Sequence, residues 1–132
     1  MNKLTPEQII FVYNKVTGQN YATDSPQVNL KKIKSINEEA WKHTADGTKY
    51  EHLNIQSKAA VMCLELSRQK PFPNNNLKTA MLASITMLEL NGIYIKLDDD
   101  TARQLSSLLI DCNTDYDELA DWFKTHTLKS ME

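Results

Sequence analysis

The stretch Leu77-Lys-Thr-Ala-Met-Leu-Ala-Ser-Ile-Thr-Met-Leu-Glu-Leu-Asn91 decides the fold. Its apolar side chains (Leu77, Ala80, Met81, Leu82, Ala83, Ile85, Met87, Leu88, Leu90) fall on nearly every side of a helix. A helix of that kind belongs in the middle of a domain. Asn91-Gly92 is its C-terminal stop. Upstream, residues 55 to 69 predict a second apolar helix, with Ile55, Ala59, Met62, Cys63 and Leu66 on one face and Ala60, Val61 and Leu64 beside it. The two should pack as a core hairpin, with Lys70-Pro-Phe-Pro-Asn-Asn-Asn76 as the loop at one end.

Outward from that hairpin the periodicity stays helical. Thr5 is an N-cap followed by Pro6 and Glu7, both favourable at a helix start. The stripe Ile9, Val12, Tyr13 and Val16 then marks one face, and Gly18 ends the helix. Leu30, Ile33, Ile36 and Ala40 predict one or two short helices over 27–42. Thr44-Ala-Asp-Gly-Thr48 reads as a turn, with Asp46-Gly47 suited to a two-residue hairpin. Asp98, Asp99 and Asp100 form an acidic start for a helix with the stripe Ala102, Leu105, Leu108, Leu109 and Cys112. A last helix begins near Tyr116 and faces inward through Leu119, Ala120 and Phe123. The prediction is an all-α bundle of about six helices in a single domain, 1–132.

Composition narrows the function classes. The chain has 132 residues, a length suited to one domain. Fifteen Lys and Arg against seventeen Asp and Glu give a net charge of −2, which speaks against a general nucleic-acid binder. Lys31, Lys32 and Lys34 read as a solvated helix face. No apolar run is long enough to cross a membrane, and the chain opens directly into a capped amphipathic segment. A cytoplasmic protein without a leader is the expectation. Cys63 and Cys112 both fall on predicted apolar faces and are expected to be buried free thiols. His43, His52 and His126 lack metal-ligand spacing, and three consecutive aspartates point in different directions, so no metal site is expected.

The loop carries the chemistry. Asn76 is the expected N-cap of the central helix, and Pro71 and Pro73 stiffen the turn around Phe72, the expected buried anchor. As a plain connection the loop would need no more. Lys78, however, lies in the first helical turn, where a cation opposes the macrodipole at a cost of up to ~1 kcal/mol. Lys70 adds a second positive charge on the other side of the loop. Two cations beside free helix N–H groups suit a phosphate.

The segment Lys70-Pro-Phe72-Pro-Asn74-Asn75-Asn76-Leu77-Lys78-Thr79-Ala80 resembles the signature of the Fic/Doc (Fido) family, in particular its death-on-curing toxin branch. That signature reads His-x-Phe-x-Asp-(Ala/Gly)-Asn-(Lys/Gly)-Arg and runs into a long apolar helix. Leu88-Glu-Leu-Asn-Gly92 resembles the end of that helix, and Tyr50-Glu-His-Leu53 with Lys58-Ala-Ala60 resembles the lead into the preceding one. The N-terminal Leu4-Thr5 is similar too.

The resemblance implies a Fido-like bundle from a bacterial toxin–antitoxin or prophage setting, with a flap hairpin near residues 41–50. It implies transfer of AMP, or of the γ-phosphoryl group as in Doc, from ATP or another nucleotide to a protein hydroxyl, with Mg2+ as the metal. The base histidine falls on Lys70, a poor substitute for an imidazole base. The metal-binding acid falls on Asn74, a neutral ligand, and the phosphate-binding arginine on Lys78, which keeps charge but loses the bidentate fork. Phe72 and Asn76 are kept. The expectation is therefore a degenerate transferase that retains phosphate binding through Asn74, Asn75, Asn76 and Lys78. The alternative is a non-enzymatic interaction domain that takes an antitoxin helix or a target protein in its groove.

Overall fold

A computed structural model describes residues 2–42 and 55–128. Six helices stand among them: α1 (Pro6–Thr17), α2 (Leu30–Lys42), α3 (Ile55–Gln69), α4 (Asn76–Leu90), α5 (Asp99–Ile110) and α6 (Tyr116–Thr125). The all-α class is thus as the sequence predicts. The hairpin expected near 41–50 lies outside the described residues from His43 onward, and Trp41 and Lys42 still belong to α2.

The helix starts follow from local chemistry. Thr5 accepts from the Gln8 N–H while the Gln8 side chain accepts from the Thr5 N–H, a reciprocal capping box at α1. Asp98 and Thr101 do the same at α5. Asp100 pairs with Arg103, so two of the three consecutive aspartates already have structural partners. Asp115 caps α6 by accepting from the Glu118 N–H. The end of α4 is a Schellman motif: Ile93 N–H donates to Leu88 C=O at 2.9 Å, and Gly92 N–H to Glu89 C=O at 3.0 Å. Gly92 adopts φ +80°, where a side chain would be strained.

Core packing departs from the sequence reading in one respect. The central element is α3, which packs against α2, α4 and α6 and is buried from Ile55 through Leu64 on every face. Even Gln56, Ser57 and Lys58 are enclosed there. The more apolar α4 keeps one flank open, with Leu82 and Thr86 half-buried and Leu90 exposed. Enclosure follows the number of neighbours, and α3 has helices on three sides.

Three other expectations change. The helical stripe of α1 splits: Ile9, Ile10 and Tyr13 enter the core, while Val12 and Val16 are only half-buried. Cys112 is exposed, because α5 ends at Ile110 and the chain turns away at Asp111. Cys63 is fully enclosed, and burial pushes its thiol up to about 12, against which the Ser84 hydrogen bond works. A two-stranded antiparallel sheet, β1 (Tyr94–Ile95) with β2 (Thr127–Leu128), was not expected; each strand is too short to show a period. No helix among the described residues is long and apolar enough to cross a membrane.

Candidate anion-binding cleft at the start of helix α4

Two non-glycine residues adopt left-handed backbone among the described residues, and both lie in this loop: Lys70 at φ +50° and Asn75 at φ +52°. Asparagine tolerates that region, but lysine gains nothing there and pays about 1–2 kcal/mol. Lys70 stops α3; Asn75 is the N-cap that starts α4. Between them lie four residues, Pro71 to Asn74.

A stacked aromatic column holds the loop down. Phe72, 4% exposed, lies parallel to Tyr13 with ring centroids 4.3 Å apart and 5° between planes. Tyr21 covers the other side of Tyr13 at 5.9 Å. Each such pair contributes about 0.5–1.5 kcal/mol beyond area burial. The Tyr13 hydroxyl donates to Asn74 Oδ1 at 3.0 Å. Burial, then the neighbouring Tyr21, pushes the Tyr13 phenol up, although a Thr17 hydrogen bond opposes them; the proton that makes this bond is held firmly. From outside, the Asn29 N–H donates to Pro71 C=O at 2.9 Å, and Lys32 Nζ donates to Gln69 C=O at 3.1 Å.

The three asparagines divide the labour differently from the sequence reading. Asn76 is the first helical residue and not the N-cap. Its Oδ1 accepts from Phe72 N–H and its Nδ2 donates to Phe72 C=O, both at 2.9 Å. It is a loop clamp, with both ends of the amide occupied. Asn75, the true N-cap, is left-handed rather than extended and makes no side-chain cap bond; its Nδ2 donates sideways to Asn74 Oδ1 at 3.0 Å. Asn74 Oδ1 therefore receives two donors, from Tyr13 and Asn75. The oxygen a magnesium ion would need faces protein N–H and O–H groups, and the donor end of the Asn74 amide is the one left over.

Beside this loop lies a cleft of about 800 Å³, within the range of small-ligand sites. Its walls are the end of α3 (Ser67, Arg68), the loop (Lys70, Pro73 to Asn75), the start of α4 (Asn76, Leu77), and Leu109, Ile110 and Cys112 at the end of α5. Arg68 is fixed by donating to Thr114 C=O, which ties α3 to the turn before α6. Neither Arg68 nor Cys112 was singled out as a site residue by the sequence: Arg68 reads there as the last turn of α3, two residues before Lys70, and Cys112 is brought to the loop only by the fold.

Of the predicted site residues, Lys70, Asn74, Asn75 and Asn76 meet at this cleft, and Lys78 does not. Lys78 lines a separate groove between α1 and α4. One helical step is 100° of rotation, and it turns residue 78 away from the face that Leu77 presents. The chemistry follows from the inventory: two cations, amide donors and a helix start without a side-chain cap, with no carboxylate or imidazole among the described residues on the walls. Such a surface has the charge and donors that suit an anion. The chain matches no protein-family model and no curated protein.

Proposed function

We propose that this chain is a degenerate protein of the Fic/Doc type, in which a cleft for a nucleotide's phosphates persists without the transfer of AMP or phosphate to a protein hydroxyl. One observation carries the reading. Lys70 and Arg68 line the same cleft as a helix start whose N-cap, Asn75, is left-handed and withholds its side chain from the helix N–H groups. Helix N–H groups with adjacent cations favour phosphoryl oxygens. The Asn74 amide oxygen is turned into the protein, so binding should not depend on Mg2+.

Calorimetry with ATP tests this, with and without Mg2+. The expected result is saturable binding that changes little when Mg2+ is withdrawn and weakens about tenfold in Lys70→Gly. Glycine suits φ +50°, so that variant keeps its fold while losing the cation. A chain that gives no heat with any nucleotide contradicts the proposal. Incubating a lysate with radiolabelled ATP tests the lost chemistry. The unmodified chain should label nothing, and a band from it would show that transfer survives. Lys70→His with Asn74→Asp asks whether the scaffold can be made competent again.

A further inference from the structure

The displaced lysine marks a second surface. The groove between α1 and α4 has a volume of about 480 Å³, and its floor is apolar: Phe11, Val12 and Val16 from α1, Leu82 from α4. Phe11 is 59% exposed, a large aromatic left open on a helix that buries Ile9, Ile10 and Tyr13. Thr86, on the same wall, donates its hydroxyl back to Leu82 C=O at 2.7 Å, so it brings little polarity to the groove.

Among the described residues, the only charges on the lining are positive. Lys15 sits with its Nζ 5.3 Å from the Phe11 ring centroid, and Lys78 faces it from the first turn of α4. No carboxylate among the described residues lines the groove, although acids outnumber bases in the chain. Local stability does not explain Lys78. It opposes the α4 macrodipole, and no acidic residue stands in that first turn to offset it. A cation kept at an unfavourable place, beside an open apolar floor and opposite a second cation, is complementary to an acidic, apolar-anchored segment.

We infer that the α1–α4 groove docks an acidic peptide segment of another protein, with an apolar side chain seated between Val12, Val16 and Leu82 and its carboxylates on Lys15 and Lys78. The exposed Phe11 ring continues the apolar floor beyond the groove, which suits a chain lying along it. The inference is independent of the nucleotide cleft, since Lys15, Lys78 and Leu82 line none of that cleft's walls.

Fluorescence anisotropy of the intact protein tests it with two labelled peptides of one design. Both carry leucines spaced three and four residues apart; the first is flanked by glutamates and the second by lysines. The glutamate peptide should bind saturably and at least tenfold more tightly than its lysine twin. Lys78→Glu should weaken it about tenfold while the melting temperature holds or rises, because an acid at that position suits the helix start. Phe11→Ser should weaken it as well. Absence of saturable binding, equal binding of the two peptides, or indifference to Lys78→Glu in a folded protein each overturns the inference. ATP binding measured on the same Lys78→Glu sample reports on the other cleft, so failure of one site is distinguishable from failure of the other.

Discussion

The two sides of the first turn of α4 make different kinds of surface from the same few residues. On one side, Leu77 and the preceding asparagines face a polar cleft whose backbone is strained at Lys70 and Asn75 and pinned by the Tyr13–Phe72 stack. On the other, Lys78 faces an apolar groove between two regular helices with no strained residue on its walls. The cleft depends on loop conformation, and its donors are backbone groups and amides. The groove depends on which face of α1 is left over after Ile9, Ile10 and Tyr13 enter the core. Substitutions that disturb the loop should therefore affect one site and spare the other.

Phe72→Ala should break the comparison most severely. It removes a buried ring from the column under the loop, at a cost of about 3–5 kcal/mol. Chemical denaturation should show that loss, and in the fraction that remains folded ATP binding should disappear while the acidic peptide still binds. Asn76→Ala should cost about 1–3 kcal/mol, because the N–H and C=O of the buried Phe72 both lose their partner. Its signature is again selective loss of the cleft.

Smaller changes sharpen the contrast. Tyr13→Phe keeps the stack and removes only the hydroxyl that holds Asn74 Oδ1, a loss of about 0.5–1.5 kcal/mol. With one donor gone, the Asn74 amide can turn, so ATP affinity should become more sensitive to Mg2+; unchanged sensitivity in calorimetry would count against the orientation argument. Lys78→Glu should move stability the other way, with a gain of up to about 1 kcal/mol in thermal melts. A destabilised Lys78→Glu protein would mean that the lysine has a structural partner and does not serve a docking groove.

Much of the scaffold was legible because its signals are local. Thr5 before Pro6 and Glu7, Asp98 at the acidic start, and Asn91-Gly92 each mark a helix end through neighbours within a few residues. The loop was legible for a similar reason: Phe72 between two prolines announced an anchor, and Lys70, Asn74 and Asn75 do face the cleft. What the spacing could not reveal was direction. Asn76 has the right chemistry for an N-cap, but the left-handed turn at Asn75 moves the cap back by one residue and leaves Asn76 facing Phe72. Lys78 belongs to the same turn, yet whether it meets the loop or α1 depends on where α1 packs. Cys112 reaches the cleft from a segment far away in the chain, and no local pattern links it to the loop, while Arg68, two residues before Lys70, carries no signal to set it apart from any helix-end cation. Cys112 also shows how a periodic stripe overruns: four residues kept the spacing, and the helix had already ended at Ile110.

The most direct test of the account is a titration of the isotopically labelled chain with ATP, followed through its backbone amide resonances. Binding at the uncapped start of α4 should shift the N–H signals of Asn76, Leu77 and Lys78 first and furthest, with the α6 amides unmoved. Saturation that leaves those three signals in place, or that moves Phe11, Val12, Lys15 and Val16 of the α1–α4 groove instead, would contradict it.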